Sequence, residues 1–134
     1  MRTSHEITEL IIGSAMKLHR TLGSGFLESV YHKALAIELR HAGLNVDPEW
    51  PLKAYYEGEI VGEFTADLLV EKSIIVELKA VQSLVSAHEV QTVNYRTATK
   101  LEVGLPVNFG APSLQFKCKH RLPRPNPENP INPV

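Results

Sequence analysis

Residues 67–79 read DLLVEKSIIVELK, and the way this stretch pairs with itself decides the fold. Apolar residues alternate with others on both sides of Glu71-Lys72-Ser73, the two-residue period of strands joined by a turn. If the arms pair antiparallel about Lys72, then Ala66, Leu68 and Val70 face Leu78, Val76 and Ile74. One side of the hairpin is then wholly apolar. A slip of one residue would scatter these side chains over both faces, so the pattern selects this register. Opposed residues share a face, so Asp67 falls across from Glu77, with Lys79 two residues on. The turn lacks the glycine that tight hairpin loops favour.

A sheet face with two carboxylates and an amine needs a physical reason. Carboxylates one strand spacing apart repel unless positive charge lies between them. Lys79 could neutralise the pair in an inert surface ion cluster. A hard divalent ion does so too, since Mg²⁺ takes one or two carboxylates plus waters and leaves room for phosphate oxygens.

Working upstream, Trp50 to Tyr56 alternates with period two and Glu57-Gly58 signals a turn. A second strand follows from near Ile60, bent at Gly62, to Val70. Before these strands lie two helices. Thr3 and Glu6 have the spacing of a capping box, and Ile7, Leu10, Ile11, Ala15 and Leu18 recur at helical spacing. Gly23-Ser24-Gly25 ends this helix. A second runs from about Phe26 to His41, its apolar face expected to be Leu27, Val30, Ala34 and Ile37 with Tyr31 and Leu35 alongside. Gly43 sits where a C-terminal cap belongs. Gly25 is expected to let the start of this helix approach other backbone closely, and Glu28 in its first turn complements the helix dipole.

Downstream, a third helix is expected over roughly Leu84 to Glu102, then strands at Val103–Phe109 and Leu114–Lys119. Strand, helix and strand in this order form a right-handed parallel crossover. His88, Gln91 and Tyr95 share one stripe of that helix, polar where a sheet-covering helix should be apolar. Such a stripe over a polar sheet face encloses a wet, charged site, or else faces solvent. Cys118 reads as a small buried hydrophobe of the last strand. Residues 122–134, rich in proline and asparagine, can form neither helix nor ladder and read as a disordered or extended tail behind a single domain over 1–121.

With 134 residues the chain can bury a real core. A net charge of −1 argues against binding duplex by bulk electrostatics. Any nucleic-acid contact must then be local, metal-assisted or shared with a partner. No apolar run approaches the roughly 18 residues of a membrane span. The acidic N-terminus does not suit a secretion signal, and the lone cysteine makes no internal disulfide. The expected compartment is the reducing cytoplasm.

Three segments together, GSGFLESVYHKALAIELRHAGL, FTADLLVEKSIIVELKAV and HEVQTVNYRTATKLEVGLPVNFG, resemble the GxxExxY proteins, a small bacterial and archaeal family similar to the PD-(D/E)XK nuclease superfamily. The resemblance runs from about Ile7 to Phe116. Gly25, Glu28 and Tyr31 match the family signature; Gln91 and Tyr95 resemble a glutamine–tyrosine helix motif found in that superfamily. It implies an α/β fold of mixed α+β type, a central mixed sheet of four to five strands with helices around it, and a restriction-endonuclease-like core. It further implies Mg²⁺ or Mn²⁺ on Asp67 and Glu77, with the Leu78 carbonyl, and with Glu28 direct or through water. Lys79 would orient or deprotonate the attacking water. Gln91 and Tyr95 would hold the substrate phosphate or position Lys79, with Tyr31 and His88 in supporting places. Two positions depart from the pattern: Ala66 stands where the superfamily name has proline, and Thr65 where a basic residue would aid phosphate affinity.

The reading that follows is a metal-dependent phosphodiesterase acting on DNA or RNA. A non-catalytic module binding nucleic acid or protein is the alternative, favoured by Thr65 and the near-neutral charge. A homodimer would give so small a domain more surface for a duplex.

Overall fold

The structure, a computed structural model, describes residues 2–84 and 103–120. The expected third helix with His88, Gln91 and Tyr95, and the tail over 122–134, lie outside the described residues. The elements are α1 (Ser4–Leu22), α2 (Glu28–His41), β1 (Val46–Tyr56), β2 (Glu59–Val70), β3 (Ile74–Lys79), β4 (Val103–Asn108), β5 (Gln115–Phe116) and β6 (Lys119–His120).

Local chemistry sets the helix ends. The Thr3 hydroxyl accepts from the Glu6 N–H at 3.1 Å and donates to the Glu6 carboxylate at 3.3 Å, tying off the first turn of α1. At the end of α2, Gly43 takes a φ of 85°, a conformation open to glycine without steric cost. Its N–H reaches the Arg40 carbonyl and that of Leu44 the Leu39 carbonyl, both at 3.0 Å, which is a Schellman motif. Leu44 is buried behind it.

One expectation about α2 fails. Its buried residues are Tyr31, Leu35, Ala36 and Leu39, whereas Leu27, Val30 and Ile37 are exposed. Two apolar stripes are interleaved on this helix. The buried one is bulkier, and it puts the Tyr31 hydroxyl where backbone partners satisfy it.

The sheet runs β1-β2-β3-β4-β5, with β6 also on β4. β1, β2 and β3 are antiparallel neighbours and β3 pairs with β4 in parallel, as expected. The β2–β3 register is the predicted one, Leu68↔Val76 and Val70↔Ile74. The turn between them is built without glycine: Glu71 and Lys72 both take positive φ. Side chains hold it there. The Glu71 carboxylate accepts from the Asn45 backbone N–H and side-chain amide, and Lys72 pairs with Asp47 at 2.8 Å while lying over the Trp50 ring.

β3 and β4 are buried almost throughout, as the inner parallel strands of a sheet covered on both sides should be. Leu68, Val70, Ile74, Val76 and Leu78 pack with both helices. Leu69 and Ile75 pack on the other face with Leu52, Trp50 and Phe64. Ala66 joins this second cluster instead of lining the first with Leu68. The last expected strand is split. β5 and β6 keep one register against β4 but are interrupted opposite Pro106, which has no N–H to give the ladder. Cys118 lies in that interruption and is exposed, not buried.

Gly110, just past β4, runs against neighbouring chain so closely that an added Cβ would overlap the backbone of Val81 and Ala80. Backbone cannot rotate aside as a side chain can. Gly110→Ala should therefore destabilise the protein by at least about 1–3 kcal/mol, read from urea midpoints. An unchanged midpoint would contradict this close approach.

Candidate active site

The site begins where the sheet ladder fails. Continuing the β2–β3 register past Leu68↔Val76 would oppose Asp67 and Glu77, yet the ladder stops at Leu68. On the other side, β1 pairs Pro48 with Leu68 and Trp50 with Ala66. Glu49, with a φ of 53°, is skipped between them. Asp67 thus has no ladder partner on either side, and side chains take over. Its N–H donates to Glu77 Oε1 at 3.4 Å, and its carbonyl accepts from His32 Nε2 at 2.8 Å. In return Asp67 Oδ2 accepts from the Leu78 N–H at 2.8 Å. The N–H and C=O of one strand residue point the same way, so the Leu78 carbonyl also faces this opening.

Electrostatics follows from the burial. Glu77 is only 4% exposed. Burial pushes its carboxyl from an ordinary 4.5 to about 8, helped by the neighbouring Asp67 charge; the Asp67 N–H and Lys79 pull the other way and lose. Among the described residues Lys79 forms no ion pair with either carboxylate. The inert cluster in which Lys79 neutralises the pair is not what forms. A carboxyl pushed up to about 8 favours the protonated form of Glu77 at neutral pH.

Glu28 opens α2 and is exposed. Among the described residues no group of three His, Cys, Asp or Glu could hold a metal ion, so the expected direct convergence of Glu28 with Asp67 and Glu77 is absent. Glu28 sits at the very start of the helix, while the bond to β2 is made one turn later by His32. Tyr31 is fully buried. Its hydroxyl donates to the Gly23 carbonyl at 2.5 Å and accepts from the Phe26 N–H at 3.2 Å, and its ring stacks on Phe109 at 4.7 Å. From within the core it ties down the linker between α1 and α2. Gly25 makes no close approach: an added Cβ would meet nothing within 4 Å. The glycine under constraint is Gly23, with a φ of 75° at the end of α1.

Two residues missed in the sequence brace the chain beyond Lys79. Asn108 is fully buried. Its Oδ1 accepts from the Val81 and Gly110 N–H groups, and its Nδ2 donates to the Val81 carbonyl and to Gln115 Oε1. Gln115 Oε1 also accepts from the Leu84 N–H at 2.9 Å. This amide bracket extends the β3–β4 ladder one step past Lys79, and asparagine alone in a sequence gives no hint of it. His32 had a signal: it lies four residues after Glu28, on the same stripe of α2.

The model of the PD-(D/E)XK nuclease superfamily matches residues 5–120. The chain belongs to the PD-(D/E)XK nuclease superfamily. No curated protein matches it. Among solved structures it is similar to the crystal structure of SSO0001, with a TM-score of 0.59 and 17% identity over 94% of this chain and 67% of that one. That likeness shows the fold alone. No helix among the described residues is long and apolar enough to cross a membrane.

Against the PD-(D/E)XK letters, Ala66-Asp67 and Glu77-Leu78-Lys79 match except for the proline. The donor set fits a hard cation. Both carboxylates lie at one opening, where Asp67 Oδ2 and Glu77 Oε1 each accept a single backbone N–H, and two carboxylates plus water suffice for Mg²⁺.

The raised Glu77 carboxyl makes a stability prediction. The folded state holds this proton more tightly than the unfolded state, so Glu77's contribution is full below about pH 4.5, falls as pH rises toward 8, and is level above. Wild-type urea midpoints should drop across this window relative to those of Glu77→Gln. Parallel pH profiles would contradict the burial of an ionisable Glu77.

Proposed function

We propose that the protein is a Mg²⁺- or Mn²⁺-dependent phosphodiesterase acting on DNA or RNA. The observation that carries this reading is the opening in the β2–β3 ladder, where Asp67 meets a buried Glu77 that no ion pair from Lys79 neutralises. Inert surface charge does not need so costly an arrangement.

Asp67 and Glu77 would hold the ion, with the Leu78 carbonyl facing the same opening. When bound, such an ion polarises a phosphoryl oxygen and lowers the pKa of its water. Lys79, three residues past Leu68's partner Val76 and one beyond Leu78, offers its ammonium to the attacking water and to developing negative charge on the phosphate. Glu28 acts through water. Gln91, Tyr95 and His88 remain the proposed phosphate-holding and supporting residues. A non-catalytic nucleic-acid-binding module is the second reading, favoured by exposed Thr65 in place of a basic residue and by the net charge of −1.

Purified protein should bind Mn²⁺ at a saturable site in calorimetry, and Asp67→Ala should lose it. In a cleavage screen over DNA and RNA, Lys79→Ala should lower the rate by roughly 100-fold or more while keeping fold and Mn²⁺ affinity. Metal binding without cleavage of any substrate would favour the second reading. Equal Mn²⁺ uptake by wild type and Asp67→Ala would refute the first.

A further inference from the structure

His32 belongs to none of the motifs quoted from the sequence, yet it bridges the helix layer and the residue at the centre of the site. A carbonyl oxygen only accepts, so the 2.8 Å contact to Asp67 requires a hydrogen on His32 Nε2. The Asp67 N–H, at the opposite end of that residue, goes to Glu77. Neither group has a ladder partner in β1 or β3. The main chain of Asp67 is thus strung between α2 and β3 by two side chains, and its carboxylate is aimed from there at the Leu78 N–H.

We propose that His32 is a positioning residue for the Asp67–Glu77 pair, a proposal that rests on the metal-site reading above. Remove the imidazole and a half-buried carbonyl loses its partner, which costs free energy unless the chain shifts to find another. The shift nearest to hand turns the Asp67 main chain back toward a neighbouring strand. That movement carries Oδ2 away from Leu78 and separates the two carboxylates. Because Glu28 lies one turn earlier on the same stripe, the same bond also fixes the start of α2 against β2. Groups that hold metal ligands from behind typically contribute a factor of roughly 10–100 in metal affinity.

The test compares His32→Gln, whose amide can donate to the same carbonyl, with His32→Met, similar in size and unable to donate. Mn²⁺ alone is the probe, titrated calorimetrically into each folded protein. His32→Met should weaken Mn²⁺ binding roughly 10–100-fold, and His32→Gln should restore most of it. Should His32→Met not fold, His32→Asn replaces it, since its shorter amide falls short of the carbonyl. In the metal-free wild type, long-range ¹H–¹⁵N spectra should place the His32 hydrogen on Nε2. Wild-type affinity in His32→Met, or equal loss in both variants, would overturn the positioning role, as would a neutral Nδ1–H tautomer. If the wild type itself takes up no Mn²⁺, the metal-site reading falls and this proposal with it.

Discussion

The site depends on a sheet that stops pairing at one residue. β2 has paired neighbours on both sides through Leu68, lacks both at Asp67, and resumes pairing at Ala66 with β1. Unpaired main-chain groups inside a protein must find partners, and here they find carboxylate and imidazole. The same event that leaves Asp67 without a ladder draws Glu77 in from β3 and His32 in from α2. Site geometry and backbone satisfaction are one constraint.

That constraint has an electrostatic cost. Burying Glu77 beside another carboxylate disfavours its charged form, and Lys79 is placed to feel this without cancelling it. A fold selected for stability alone would put an apolar residue at such a position. Keeping an acid there makes sense if a cation or substrate supplies the missing charge. Around it, much of the remaining structure acts as scaffold: the Asn108–Gln115 bracket steers the chain away from Lys79, and Tyr31 pins the linker ahead of Glu28.

The hairpin was legible because a two-residue period tolerates no slip: alternation in 67–79 gave both the register and the shared position of Asp67 and Glu77. The cap residues Thr3 and Gly43 were legible because their roles are local. What escaped is what depends on the third dimension. α2 offers two apolar stripes of similar spacing, and only the fit of Tyr31 between Gly23, Phe26 and Phe109 selects the buried one. The interruption at Pro106 reads as part of a strand until its partner is known. Glu28, Asp67 and Glu77 match one pattern in the sequence, yet the described residues hold no three-carboxylate cluster. His32 and Asn108 act through single long-range bonds that leave no periodic trace.

The central claim is that Asp67 and Glu77 share a buried place that favours a proton or a cation. The most direct measurement is carbon-detected NMR titration of the Glu77 side-chain carboxyl, with and without Mg²⁺. The account predicts a midpoint near 8 in metal-free protein, displaced downward when Mg²⁺ is added. A midpoint in the ordinary glutamate range, indifferent to Mg²⁺, would contradict it.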